Sequence, residues 1–427
     1  MRVHGLDKAA IALALLALAA CGKPNGYGPE HEPSGQSRIT FEDGMAYADY
    51  IAATRERLIA MTADLPAPPD DSALGMALPR EIVPDEAHCA PAQDGRYERG
   101  VLLIHGLYDS PFLMSDMAEV FAENCYFVRT LLLPGHGSRP GDLLTVRLEE
   151  WRAAVAYGVS SFAGQIHGDL TVAGYSTGAG LAILHGLGQE ENAAVKVGAV
   201  VGMAPGASGA LPFSGGRRLL ARLSIALPRG RYTQIAPEHD PAKYEAFSVP
   251  AALEYLRLQD AIGDSEEGPS LTIPTVFAMS AVDQVVPAEK VLSFFCNRVD
   301  AARLFILYSS TGADTAPCAG VEIRAGAYPE IGFLDMSHLG ITMAPDNPHY
   351  GDVPGAYYHC LDYLLLADDD GWATCRDPSK TLQNANIRYG INSRERREDH
   401  VIRRSTFNPD FYRMMDSILL FLEQTDC

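Results

Sequence analysis

Apolar runs bounded by turn residues recur through the middle of the chain, at Val101–Ile104, Tyr126–Leu133, Leu170–Ala173, Val195–Met203, Pro274–Met279 and Leu304–Tyr308. Continuous runs of this kind suit strands buried on both faces, as in a parallel sheet, because a sheet with one wet face would alternate apolar and polar positions. Helical patterns lie between them. Ser110-Pro111 reads as an N-cap followed by proline at the first helical position, predicting a helix to about Asn124. Leu148 to Phe162 carries Trp151, Val155 and Val159 at helical spacing, and Thr177 to Leu187 is rich in Ala, Leu and Gly, as a helix pressed onto a sheet would be. This order predicts an α/β fold: a mostly parallel central sheet with helices on both faces.

Two stretches interrupt the alternation. Gly206 to about Pro269 shows no clear strand and holds a helical piece near Ala251–Asp260; it reads as a cap insertion over the active face. Leu211, Pro212, Phe213, Leu219, Leu220, Leu223 and Ile225 are candidates either to line an apolar pocket there or to pack the cap onto the body. Thr342 to about Asn408 is a second insertion, polar and rich in Tyr and Arg. Phe411, Met415, Ile418 and Leu422 then recur at helical spacing, so an amphipathic helix follows.

The N-terminal pattern changes the picture from a plain globular chain. Arg2 and Lys8 precede an apolar run, Ala9 to Ala20, too short to span a bilayer and suited to a signal segment over residues 1–20. Leu18-Ala19-Ala20-Cys21 resembles a bacterial lipobox, which implies lipidation of Cys21; an ordinary cleaved signal is the alternative. Gly22 beside Cys21, in place of Asp, favours an outer-membrane address within that resemblance. Pro24, Gly26, Gly28, Pro29, Pro33 and Gly35 follow, so residues 21–40 read as a flexible tether and residues 41–427 as one large domain. The chain has 34 basic and 54 acidic residues, a net charge of −20, which argues against nucleic acid and against electrostatic docking on anionic lipid. Seven cysteines follow Cys21, and an exported chain meets an oxidising compartment. We expect Cys89–Cys125, Cys296–Cys318 and Cys360–Cys375 pairs, leaving Cys427 over. No Cys or His cluster has zinc-ligand spacing.

Gly174-Tyr175-Ser176-Thr177-Gly178 joins a predicted strand to a predicted helix. A serine in so sharp a turn projects its hydroxyl beyond the sheet edge, and side chains two residues to either side would collide with neighbouring backbone. On its own the pentapeptide is weak, since the chain has 39 glycines. Its companions strengthen it. His105-Gly106-Leu107 follows the first strand, where the Leu107 amide, with that of Thr177, is a candidate oxyanion donor. His105, and His136 in Pro134-Gly135-His136-Gly137, read as loop-structuring residues. Asp283 follows a later strand and is the candidate acid, with Asp300, Asp314 and Asp335 as rivals. His338 is the candidate base; His349, His359 and His400 fall in the polar insertion, where a surface position is the ordinary reading.

Together, Leu103-Ile104-His105-Gly106-Leu107, Leu133-Pro134-Gly135-His136-Gly137, Gly174-Tyr175-Ser176-Thr177-Gly178, Asp283-Gln284-Val285-Val286-Pro287 and Ser337-His338 resemble the bacterial carboxylesterase and monoacylglycerol-lipase-like branch of the α/β hydrolases. The resemblance covers roughly Arg99 to Leu339 and the last helix; the long stretch before that helix is a departure from compact members. It implies an α/β-hydrolase fold, a Ser176–His338–Asp283 triad in the order Ser…Asp…His, oxyanion amides at Leu107 and Thr177, and no metal or organic cofactor. The reaction expected is hydrolysis of small-molecule or lipid esters through an acyl-enzyme. Amide, peptide or thioester cleavage by the same triad, and a non-catalytic envelope lipoprotein, are the alternatives.

Overall fold

The computed structural model describes residues 26–42, 44–188, 194–207, 221–236, 238–311, 315–353, 356–360, 369–377, 386–391 and 400–425. Cys21 and the signal segment, Asp314, Cys427, and Leu211, Pro212, Phe213, Leu219 and Leu220 of the cap lie outside them.

The six apolar runs supply six strands of one eight-stranded sheet, whose order is β1-β3-β2-β4-β5-β8-β9-β10. Its strands are β1 (Glu81–Ile82), β2 (Arg99–Ile104), β3 (Tyr126–Leu131), β4 (Leu170–Tyr175), β5 (Val197–Met203), β8 (Thr275–Ser280), β9 (Arg303–Ser309) and β10 (Val321–Ala325). Short β1 is antiparallel to β3, and every other neighbour pair is parallel. Strands β3, β4 and β8 are buried along their whole length, which is why their sequences run apolar without alternation. Edge strand β10 alternates instead, with Arg324 buried between exposed or half-buried neighbours. It carries no continuous apolar run, so the criterion that finds its neighbours passes over it.

Helices cover both faces: α1 (Tyr47–Thr62), α2 (Asp71–Ala77), α3 (Ser115–Glu123), α4 (Leu148–Ser160), α5 (Thr177–Leu187), α6 (Val249–Ile262), α7 (Ala288–Arg298) and the last, α9 (Phe411–Thr425), with α8 (Asp369–Arg376) in the second insertion. The helix predicted from Ser110 begins as a 3₁₀ turn, Pro111–Met114, and becomes α-helical at Ser115; the Ser110 hydroxyl caps nothing. Helix α9 buries Phe411, Met414, Met415, Ile418, Leu419 and Leu422 on one face, as its spacing requires.

Within the cap, a short antiparallel pair, β6 (Tyr232–Gln234) and β7 (Phe247–Ser248), precedes α6. Glu254 of α6, 6 % exposed, accepts a hydrogen bond from the Leu148 amide at 2.9 Å and so caps α4 from another segment. Leu223 is 62 % exposed, whereas Ile225 is half-buried. In the second insertion β11 (Asn386–Gly390) pairs in parallel with β12 (His400–Arg404). His349 and His359 are not surface residues there: His359 is 3 % exposed, and His349 Nε2 lies 3.0 Å from Asp240 Oδ1 with its ring stacked on Tyr357. All three expected cysteine pairs are bonded, closing separations of 36, 22 and 15 residues.

The stretch expected to be a flexible tether is different. From Tyr27 onward it is laid onto the body. His31 is fully buried, with its ring edge-on to Tyr232. Ser34 donates its amide and hydroxyl to Asp142, both at 2.8 Å. Arg38 reaches Glu150 and the Asp142 carbonyl, each at 2.8 Å. A methyl group added to Gly141 would sit 2.1 Å from the Glu32 carbonyl, which shows how closely the two backbones approach. Proline and glycine content describes what a segment can bury by itself, and these partners lie more than a hundred residues away in the chain. We expect Arg38→Ala to free this segment, so that thermolysin cuts near Ile39–Phe41 about fivefold faster, corresponding to about 1 kcal/mol of lost local stability. An unchanged cutting rate would show that other contacts hold it.

Candidate active site

Four chain segments meet at the carboxyl ends of the sheet strands, the edge where ligands bind in open α/β folds. Strand β4 ends at Tyr175, and Ser176 follows with φ 54° and ψ −113°, a left-handed conformation rare for a residue with a side chain. Its cost, on the order of 1–3 kcal/mol, is met by tight local bonding. The Ser176 amide donates to the Met203 carbonyl at 2.9 Å, and the Ser176 carbonyl accepts from Gly206 at 2.9 Å and Gly180 at 3.0 Å. The glycines of the pentapeptide have a steric reason. A methyl group on Gly174 would lie 2.3 Å from the Gly178 backbone, and one on Gly178 would lie 2.1 Å from the Ile104 carbonyl oxygen. The first turn of α5 is thus pressed onto the turn that follows β2.

His338 stands in the loop before a short 3₁₀ turn, Leu339–Thr342. Its Nε2 is 2.9 Å from Ser176 Oγ and its Nδ1 is 2.6 Å from Asp283 Oδ2. A carboxylate only accepts, so Nδ1 carries the proton and Nε2 accepts from the serine hydroxyl. Asp283 Oδ1 accepts from the amides of Val285 at 2.8 Å and Val286 at 2.9 Å, and the side chain is sealed from solvent. That turn fixes the carboxylate before it meets the imidazole. Tyr175 packs its ring 5.1 Å from the His338 ring, on the side away from water. Asp283 is therefore the acid that reaches His338. Asp335 is occupied with the Ile391 amide, and Asp300 follows the Val299 end of α7, its amide bonded to Leu271.

The candidate oxyanion amides lie on the two segments that Gly178 packs together. Thr177 is the first residue of α5, so its amide has no acceptor within the helix, and the helix dipole favours negative charge there. Leu107 follows Gly106 in the turn against which Gly178 is pressed. That turn is held by two buried imidazoles. His105 accepts from the Leu133 amide at Nε2, 3.0 Å, and its Nδ1 faces the Gly106 carbonyl at 2.7 Å. His136 accepts from the Tyr108 amide at Nε2, 3.2 Å, and its Nδ1 faces the Leu133 carbonyl at 3.1 Å. Each ring must be neutral to play both parts. Burial supplies that: it pushes His136 down to about 4, and burial with the nearby His136 holds His105 well below the usual imidazole range.

Ser405 has no signal in the sequence as a site residue. It comes from the far end of the second insertion, where its hydroxyl accepts from the Ser337 amide at 2.7 Å and its carbonyl accepts from the Ser337 hydroxyl. A methyl group on Gly340 would lie 2.9 Å from the carbonyls of Ser405 and Phe407. The returning insertion therefore clamps the loop that carries His338. Only the fold reveals it, because the two partners are 68 residues apart.

The sheet, the strand–serine–helix turn and the relay at its edge define a hydrolase architecture. The chain belongs to the alpha/beta hydrolase family, whose profile matches residues 101–374. Among solved structures it is similar to one described with LipS and LipT, two metagenome-derived lipolytic enzymes, at 19 % identity and TM-score 0.42, covering 54 % of this chain and 86 % of that one. It is similar to the monoacylglycerol lipase of Paleococcus ferrophilus at 14 % identity and TM-score 0.42, covering 54 % and 88 %. A soluble variant of monoglyceride lipase from Saccharomyces cerevisiae aligns at 14 % identity and TM-score 0.40, covering 51 % and 80 %. No curated protein sequence matches the chain.

Gly178→Ala tests the packing of the turn. We expect a loss of at least about 3 kcal/mol in denaturant unfolding, because the clash is with backbone rather than with a movable side chain. A loss under about 1 kcal/mol would show that α5 is free to shift.

Proposed function

We propose that this protein is a serine hydrolase that cleaves carboxylic esters by way of an acyl-enzyme, with Ser176 as nucleophile, His338 as general base and acid, and Asp283 as the group that orients His338. The observation that carries the reading is the unbroken relay from Ser176 Oγ to His338 Nε2 at 2.9 Å and from His338 Nδ1 to Asp283 Oδ2 at 2.6 Å. In the first half-reaction Ser176 Oγ attacks the ester carbonyl carbon as His338 Nε2 takes its proton. The carbonyl oxygen gains negative charge and is received by the Leu107 and Thr177 amides. The tetrahedral species collapses as His338 returns the proton to the departing alcohol. Water then adds to the acyl-serine with His338 again as base, and as the C–O bond to Ser176 breaks His338 returns that proton to Oγ and the acid leaves. Asp283 stays ionised and stabilises the imidazolium in both halves.

The protein beginning at residue 26 should hydrolyse short and medium acyl p-nitrophenyl esters and react with a fluorophosphonate probe at Ser176. Ser176→Ala should lower kcat by on the order of 10³-fold or more and abolish labelling. Turnover like that of the wild type in this variant would overturn the assignment, and labelling without turnover on any ester would point to amide or thioester substrates.

We further propose that the chain is exported and held in a bacterial envelope by a lipid on Cys21, supported by the apolar run that ends in Leu18-Ala19-Ala20-Cys21 and by cysteines that pair as an oxidising compartment allows. Cys21→Ser should move the protein from the detergent-soluble membrane fraction to the soluble fraction and stop incorporation of labelled palmitate. Membrane retention in that variant counts against the anchor.

A further inference from the structure

A cavity of about 460 Å³ is lined by Tyr108–Ser110, the loop Gly137–Pro140, the cap segment Glu238–Tyr244 and, on another side, Leu65, Pro66, Ala67 and Pro69. Most of the polar groups in its wall are already committed to the protein. Asp240 accepts from the Tyr350 hydroxyl at 2.6 Å, His349 at 3.0 Å and the Ala242 amide at 3.0 Å. Glu238 accepts from the Glu245 and Ala246 amides at 2.8 and 2.9 Å. Ser138 donates its hydroxyl to Asp142 at 2.6 Å and its amide to the Tyr244 hydroxyl at 2.9 Å.

Among the described residues of this wall, the Ser110 hydroxyl and Arg139 Nε are buried without a partner, and the remaining uncommitted group is the carboxylate of Asp109. It is 6 % exposed, yet no donor among the described residues hydrogen-bonds its carboxylate. Burial pushes its pKa up to about 7, while the charges of Lys243 and of a protonated His338 act in the opposite direction. The carboxylate also stands at the boundary between cavity and relay. A methyl group on Gly106 would be 2.4 Å from Asp109 Oδ2 and 3.0 Å from the Tyr175 ring, and that ring is the one packed on His338. A buried acceptor with no donor is costly, and it becomes favourable when a ligand brings the donor in.

We propose that Asp109 is a specificity-determining residue that accepts a hydrogen bond from a donor group, a hydroxyl or an ammonium, carried by the substrate into this cavity a few atoms from the scissile carbonyl. The proposal rests on the ester-hydrolase reading of the neighbouring relay. Its consequence is discrimination. A site built around an acceptor rejects the analogue that lacks the donor, since that analogue leaves the acceptor buried and unpaired.

The test uses matched esters in which the terminal group of a four-carbon chain is methyl, hydroxyl or ammonium, placed on the alcohol in one series and on the acyl side in the other. We expect kcat/KM for a hydroxyl or ammonium member to exceed that of its methyl partner by about tenfold or more, and Asp109→Ala to reduce that ratio by about tenfold or more, with Asp109→Asn losing more on ammonium than on hydroxyl. The better of the two polar groups identifies the donor. Equal rates across the panel in the wild type overturn the proposal, whether or not the variants fold. So does a preference that survives in folded Asp109→Ala. Failure to turn over any member counts against the esterase reading and not against this one. The same preference is then measured as Kd for these esters on Ser176→Ala, where equal affinities overturn it.

Discussion

Everything at the site depends on one strained residue. Ser176 holds a left-handed backbone at the end of a fully buried central strand. The conformation persists because its amide and carbonyl are both bonded to fixed backbone and because Gly174 and Gly178 let strand, turn and helix approach more closely than any side chain permits. The same close approach brings the start of α5 against the turn after β2, so Ser176 and the segments bearing the two candidate oxyanion amides are positioned by a single packing event. The geometry of the candidate site and the packing of the sheet are here the same constraint.

Two buried imidazoles extend that constraint outward. His105 and His136 each use one nitrogen to accept from an amide and the other to face a carbonyl, joining the Gly106–Tyr108 turn to the Leu133–Gly137 loop. Burial keeps them uncharged, so the dual role is stable across the neutral range. The effect is preorganisation. The turn bearing Leu107 is held by hydrogen bonds that do not have to rearrange when charge develops on a substrate oxygen.

On the far side the second insertion does comparable work for His338. Ser405 clamps Ser337, the residue before His338, while Asp283 receives two amides from its own turn. The imidazole is thereby aimed from two directions, by a local turn and by a segment that has left the sheet and come back. In this chain the long connection is part of the support for the site. The docked N-terminal stretch has a similar character, since its holding groups, Asp142, Glu150 and Tyr232, belong to the body and to the cap.

Much of this is legible from residue order alone. Buried parallel strands announce themselves as unbroken apolar runs because both faces are dry, and the glycines flanking Ser176 announce a turn in which a Cβ has no room. Motif order then places Asp283 and His338 after later strands of the sheet, since each βα crossover returns the chain to the same edge. Edge strand β10 alternates and escapes that criterion. The tertiary structure alone decides the rest. The burial of His349 and His359, the docking of residues 27–41, the clamp by Ser405 and the unpaired Asp109 all depend on partners tens to hundreds of residues away. Local sequence determines what a segment prefers and which positions must be small or apolar. Which distant groups satisfy a buried donor or acceptor is determined only when the chain has closed on itself, because hydrogen bonding and desolvation depend on distances that sequence spacing does not contain.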